Sequence, residues 1–237
     1  MKIDNIALHQ FFIEKEITHL HHANTISSSI TYINNGGLLS RGDVEKNGLF
    51  QTTQDSDEDD KLFDVWSDVF LDTLDLHKYF SRQNIYGPVL FKFNIDFLLN
   101  DDIDIWITKN NPIYWDKSLP LHDKYFQGID ELRSLWDDYE EQKKMITIRK
   151  PNKPVLFDSL VQIIVDDPEV IIYKETNLYT ETKNALSIAT EKQKSIREKF
   201  VPRKCGYCYC KENYLNEVPT DKLAKLFLPQ EHPRFPK

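Results

Sequence analysis

The sequence of 237 residues holds only three cysteines, Cys205, Cys208 and Cys210, bunched within six positions. An odd count so tightly grouped is no disulfide framework, and a reducing cytoplasm is the simplest setting for it. A structural zinc takes four ligands, so the trio falls one short. His232 is available, but nothing in the spacing selects it. No metal is therefore assigned, and reduced cysteines that pack are the plainer reading. Long apolar runs are absent too. The segment 161–165 is far below the roughly 20 residues that cross a bilayer, so no membrane partner is expected. The opening Met1-Lys2-Ile3-Asp4 has no apolar core of a signal peptide, and export is not expected. There is no Gly-x-Gly-x-x-Gly and no Gly-x-x-x-x-Gly-Lys-Ser/Thr, which leaves neither a dinucleotide fold nor a P-loop signalled. No repeat period shows. Positive charge is in deficit: 30 Lys and Arg against 38 Asp and Glu give −8. That argues against coating nucleic acid over the whole surface, while leaving room for a local basic track.

What is present is an ordinary core-forming composition, 40% hydrophobic with 12% aromatics, enough for one large domain or two small ones. Residues 17–23 alternate in the period of a strand. Ile26, Ile30 and Ile33 then recur on one helical face, with Asn24 or Thr25 placed to cap it and Gly36 and Gly37 to stop it. Strands are expected over 65–74, 88–97, 103–108 and 161–165, and helices over 130–144 and 180–199. The acid run 55–60 reads as a solvated loop, since EF-hand spacing is missing. Strands mixed with scattered helices, without a regular βαβ alternation, give an α+β class.

His22 ends the first strand, and Asn24 lies two places on, on the same strand face. A histidine so placed can bond a ribose hydroxyl or an amide carbonyl; His19 and His21 compete with it. His22-Ala23-Asn24, a helix, and then Gly37-Leu38-Leu39-Ser40-Arg41 resembles the opening of the ADP-ribosyltransferase superfamily, in particular the DarT-like toxins. The resemblance implies a split, antiparallel β-sheet around a cleft for NAD. It implies His22 and Asn24 on the nicotinamide-side ribose, Gly37 in the turn, Arg41 near the phosphates, and Phe70 or Tyr86 stacked on nicotinamide. Residues 68–72 and 86–90 resemble the family's middle strand and the loop after it. Residues 162–165 resemble the strand that opens with the catalytic glutamate, where this chain has Gln162. A neutral amide holds a hydroxyl but opposes developing positive charge only weakly. Asp158 or Asp166 could supply the missing charge.

Between 143 and 157 stand Lys143, Lys144, Arg149, Lys150 and Lys153 with no acid. Lys144, Arg149, Lys150 and Lys153 are the candidate contacts to a phosphate backbone, the alternative being a solvated basic loop. The implied function is an NAD-dependent ADP-ribosyltransferase toxin acting on a nucleobase in DNA or RNA, with a toxin–antitoxin or phage-defence role and an antitoxin partner. A catalytically inactive NAD- or partner-binding module and a protein-targeting transferase are the alternatives. The catalytic part is expected over 1–175, with 176–237 a helical, Cys-containing extension packed on it.

Overall fold

In the computed structural model the described residues are 1–83, 85–100, 102–206 and 208–236. The strands are β1 (His19–Asn24), β2 (Val69–Asp72), β3 (Val89–Asn94), β4 (Ile105–Ile107), β5 (Met145–Ile148), β6 (Leu160–Asp167), β7 (Ile171–Ile172), β8 (Thr176–Asn177) and β9 (Phe200–Lys204). The helices are α1 (Asn5–Glu14), α2 (Ile26–Asn35), α3 (Arg41–Lys46), α4 (Asp57–Leu62), α5 (Leu76–Phe80), α6 (Leu121–Lys124), α7 (Ile129–Leu135), α8 (Leu178–Ala189), α9 (Lys194–Arg197), α10 (Cys210–Glu217) and α11 (Thr220–Phe227). The class is α+β. Seven strands lie in the order β4-β5-β2-β1-β3-β6-β9, antiparallel except for the β6–β9 pair, with the helices peripheral.

The sheet is split at its centre. β1 pairs with β3 along all six of its residues, from His19 opposite Asn94 to Asn24 opposite Val89. With β2 it shares one register pair, His21 opposite Asp72. The halves β4-β5-β2 and β1-β3-β6-β9 therefore meet at one point and part beyond it. Leu20, Phe91, Phe93 and Ile163 are fully buried in the main core, and Leu71, Ile107 and Ile146 bury the other half of the sheet. Burial at roughly 25 cal/mol per Å² of apolar surface is what holds two sheet halves together where backbone bonds do not.

The local signals around β1 act as their chemistry dictates. Thr25 is the N-cap of α2, its side chain accepting from the Ser28 N–H, while Asn24 Oδ1 accepts from the Thr25 N–H at 2.8 Å. Gly36 closes the helix in the left-handed region with φ 73°. Elsewhere the elements are shorter than the periodicity implies. The strand expected over 65–74 is only Val69–Asp72, and the helix expected over 130–144 breaks after Leu135 into 3-10 turns. The helix expected over 180–199 divides into α8 and α9. The acid run is not a loop: residues 57–60 form the first turn of α4, where carboxylates offset the positive helix end.

The C-terminal elements have a core of their own. Cys210, Tyr214, Leu223 and Phe227 pack with Val170, Ile172 and Leu178. β9 meanwhile extends the main sheet beside β6. Among the described residues no helix is long and apolar enough to cross a membrane.

Candidate active site

A cleft of about 380 Å³ opens where β1 and β2 part, within the size range of small-molecule sites. His22, Asn24, Arg41, Phe70 and Tyr86 all line it. His22 spans the gap between the strands: its Nδ1 bonds the Phe70 carbonyl at 2.8 Å. A carbonyl only accepts, so Nδ1 carries the proton and Nε2 keeps its lone pair. Burial holds the His22 pKa below the ordinary imidazole value, which keeps the ring neutral. Asn24 Nδ2 stands 3.4 Å from Nε2 and donates to the Tyr32 hydroxyl at 3.1 Å. Burial pushes that phenol up to about 12, so Tyr32 is a neutral hydrogen-bond donor at the cleft wall.

Arg41 starts α3, where Ser40 caps the helix through the Asp43 N–H. Its Nη2 donates to Asp57 at 2.7 Å and to the Thr52 carbonyl at 3.1 Å, and its guanidinium lies 5.1 Å from the Trp66 ring centre. Its Nε is buried with no partner. An orphaned donor on a permanent cation, inside a cleft, is what a bound anion would satisfy.

Gly37 does not line the cleft but has a packing role. A Cβ there would stand 2.7–2.9 Å from the backbone of Pro154 and Val155, at the isolated bridge between Leu38 and Val155. Only glycine permits that approach.

Gln162 and Asp158 are not brought to the cleft. Gln162 sits on β6 opposite Lys92, on the far side of β3 from β1, and Asp158 is exposed in the turn before that strand. The strand that borders β2 at the cleft is β5, and Gln142, Lys143 and Met145 from its start line the wall. The structure therefore does not bring Gln162 or Asp158, the expected carriers of the catalytic charge, to this cleft.

Three acids do line the cleft: Asp60, Asp68 and Asp72. Asp68 is tied to Arg149, and Asp60 accepts from the Ser56 hydroxyl at 3.2 Å. Asp72 ends β2 beside Tyr86 with no cationic partner, and burial alone pushes its carboxyl up to about 7. Its charge is thus spare and adjustable near neutral pH. Sequence reading passed over it, although it stands two places from Phe70 in the quoted stretch 68–72. Tyr32, on α2 beside Ile33, likewise carries no sequence signal that marks it as a cleft residue.

The basic segment is mostly neutralised. Lys144 is fully buried, its Nζ donating to the carbonyls of Trp136 at 2.7 Å and Tyr139 at 2.6 Å, and lying 4.2 Å from the Trp136 ring centre. Arg149 is paired with Asp68 and Asp64, and Lys150 with Asp64 at 2.8 Å. Lys153 alone of the four is exposed with no ion pair. The structure thus places Lys144 in the core and Arg149 in ion pairs with Asp64 and Asp68, rather than free on the surface. Lys144→Met should leave affinity for any nucleic acid unchanged. It should lower the unfolding free energy by about 1–3 kcal/mol, by stranding two buried carbonyls. A filter-binding titration beside a thermal melt would separate these, and a selective loss of affinity would restore the phosphate-contact reading.

No family model matches the sequence, and no curated protein matches it. Solved structures to which the chain is similar include these two. One is the DarT of Thermus sp. 2.9 in complex with ADP-ribosylated ssDNA, at 13% identity and a TM-score of 0.47, covering 83% of this chain and 96% of that one. The other is the DarTG of Thermosipho africanus in complex with ADP-ribose, at 14% identity and a TM-score of 0.42, covering 78% of this chain and 49% of that one.

Proposed function

We propose that this protein is an ADP-ribosyltransferase that takes NAD as co-substrate and modifies a nucleobase in DNA or RNA, in the manner of toxins that work within a cell's cytoplasm under control of an antitoxin. One observation carries the reading. At the split of the sheet, a neutral His22 whose Nε2 accepts only a long 3.4 Å bond from the Asn24 amide, an Arg41 with an orphaned Nε, the aromatic rings of Phe70 and Tyr86 and the carboxylate of Asp72 share one cleft.

NAD supplies an ADP-ribosyl group with nicotinamide as its leaving group. His22 Nε2 accepts from a ribose hydroxyl in place of its long bond from the Asn24 amide, which stays held by Tyr32. Tyr86 or Phe70 offers a π-face to a planar ring. Arg41 Nε takes a phosphate oxygen. Asp72 stands as the anion that opposes positive charge built up as a glycosidic bond breaks. The site acts by positioning and charge.

The test is incubation with labelled NAD and, separately, single-stranded DNA, RNA and a protein extract. Transfer to one nucleic acid is the expected result. Transfer only to protein would overturn the acceptor class, and NAD bound without turnover would mean an inactive binding module. His22→Ala should weaken NAD binding about tenfold, the worth of one buried hydrogen bond, read by calorimetric titration. Unchanged labelling by both His22→Ala and Tyr86→Ala would sink the proposal.

A further inference from the structure

The three cysteines acquire a fourth neighbour in the fold. His77 of α5 and the sulfurs of Cys205, Cys208 and Cys210 offer ligand atoms that all lie within 4.8 Å of one another. His77 Nε2 is 3.6 Å from Cys208 Sγ and 3.8 Å from Cys205 Sγ. A tetrahedral zinc with Zn–S of about 2.3 Å and Zn–N of about 2.0–2.1 Å has S···N edges of roughly 3.6 Å. The sulfurs of Cys208 and Cys210 stand at disulfide-bonding distance, so the ion enters with that pair reduced to thiols.

The surroundings are those of a metal site. His77 is buried, and its Nδ1 donates to the carboxylate of Asp166 at 2.6 Å. That bond fixes the tautomer and leaves the Nε2 lone pair facing three sulfurs, the carboxylate–histidine arrangement that orients metal ligands. Asp166 is held in turn by Arg203 Nε, and Arg203 pairs with Asp75. Asp75 is the N-cap of α5, the helix that carries His77. Cys210 is the first residue of α10, so the positive end of that helix lies beside the thiolates. His77 is thus placed by a chain of ion pairs, and its Nε2 lone pair, with only weak thiol donors around it, gains a partner.

We propose that His77, Cys205, Cys208 and Cys210 bind a structural zinc ion. Binding forms three Zn–S bonds and one Zn–N bond, and the three thiol protons leave to solvent. The ion ties Cys205, Cys208 and Cys210 to α5. Leu76 and Phe80 of that helix are part of the cleft wall, so the metal anchors this wall to the C-terminal segment. A bond from the Tyr209 N–H to the Ser81 carbonyl at 3.0 Å supports the same join. His77 itself is also part of the cleft wall, and the metal proposal does not depend on which ligand the cleft takes.

The full chain would be produced in defined medium with zinc and purified in reductant. Mass spectrometry of the metal should find about one zinc per chain, four ligands making one closed site. Cobalt in its place should give the intense sulfur-to-metal charge-transfer bands of thiolate ligation. Chelation should lower the melting temperature and raise hydrogen exchange over residues 76–83. Cys208→Ser should lose the metal, and Cys205→His should keep it. If a variant fails to fold, the metal content and cobalt spectrum of the wild type decide the matter alone. Absence of metal together with a mass two hydrogens short, which marks a Cys208–Cys210 disulfide, would overturn the proposal. So would metal absence with three free thiols.

Discussion

Asp72→Asn should lower the rate of ADP-ribosyl transfer by roughly 10²–10³-fold, the worth of one charge or donor aimed at a developing charge, while NAD affinity stays within a few-fold. The substitution keeps the shape at the end of β2 and removes the one cleft carboxylate that, among the described residues, has no cation or hydroxyl partner. The pH profile is the sharper reading. Burial puts the Asp72 carboxyl at about 7, so the anion is the minority form in mildly acidic solution and dominant in mildly alkaline solution. Wild-type rate should rise through pH 7 and level off above it, and the variant should lack that limb. Stability runs the other way. A carboxyl whose folded pKa exceeds its unfolded value binds its proton more tightly when folded. The resulting stabilisation is present at acid pH and is lost as pH rises through 7. At alkaline pH the variant should therefore melt higher than the wild type while transferring more slowly. A merely structural Asp72 would give the opposite sign in the melt. Gln162→Ala, on β6, should leave the rate unchanged; a large loss there with Asp72→Asn near wild type would return the catalytic role to Gln162.

The local grammar of the chain was open to sequence reading, and its long-range pairing was not. The strand that ends at Asn24, the Thr25 cap and the Gly36 stop are decided by residues within a dozen positions, through period, capping chemistry and left-handed φ. His22, Arg41, Phe70 and Tyr86 lie in such stretches and do meet at one cleft. Which later strand borders β2 depends on sheet order, and no local period encodes that β5 goes beside β2 while β6 goes beside β3. The resemblance of 162–165 to the family's glutamate-bearing strand points to β6, while Met145–Ile148 takes the place beside the cleft. Charge counting failed in the same way. The acid-free segment 143–157 finds its acids in Asp64 and Asp68, with Arg149 and Asp68 81 positions apart. His77, 128 positions from Cys205, could not be chosen as a ligand from spacing, and His232 lies instead beside Glu181 at 3.7 Å.

Gly87→Ala should be the most damaging single-carbon change in the chain. Gly87 has φ 134°, outside the range of side-chain-bearing residues, and a Cβ there would fall 2.3 Å from the carbonyl carbon and oxygen of Asn24 and 2.4 Å from the Thr25 nitrogen. Those atoms cannot step aside. Asn24 is locked in β1 opposite Val89, and Thr25 begins α2 as its cap. Strain of this kind costs about 3 kcal/mol or more, which for a chain of this size is a fall in melting temperature of roughly 6–12 °C. Any relief must come from displacing Asn24, so its amide leaves the Tyr32 hydroxyl and the vicinity of His22 Nε2. NAD binding should then fall further than the melt alone accounts for at a temperature where the protein is still folded. Gly36→Ala is the control. Gly36 also has positive φ, 73°, but an added Cβ meets nothing within 4 Å, so the cost is only the left-handed backbone, about 1 kcal/mol, with NAD binding kept. Equal effects of the two substitutions would mean that φ alone matters, and that the backbone contact between the 85–88 turn and the end of β1 does not hold the cleft in shape.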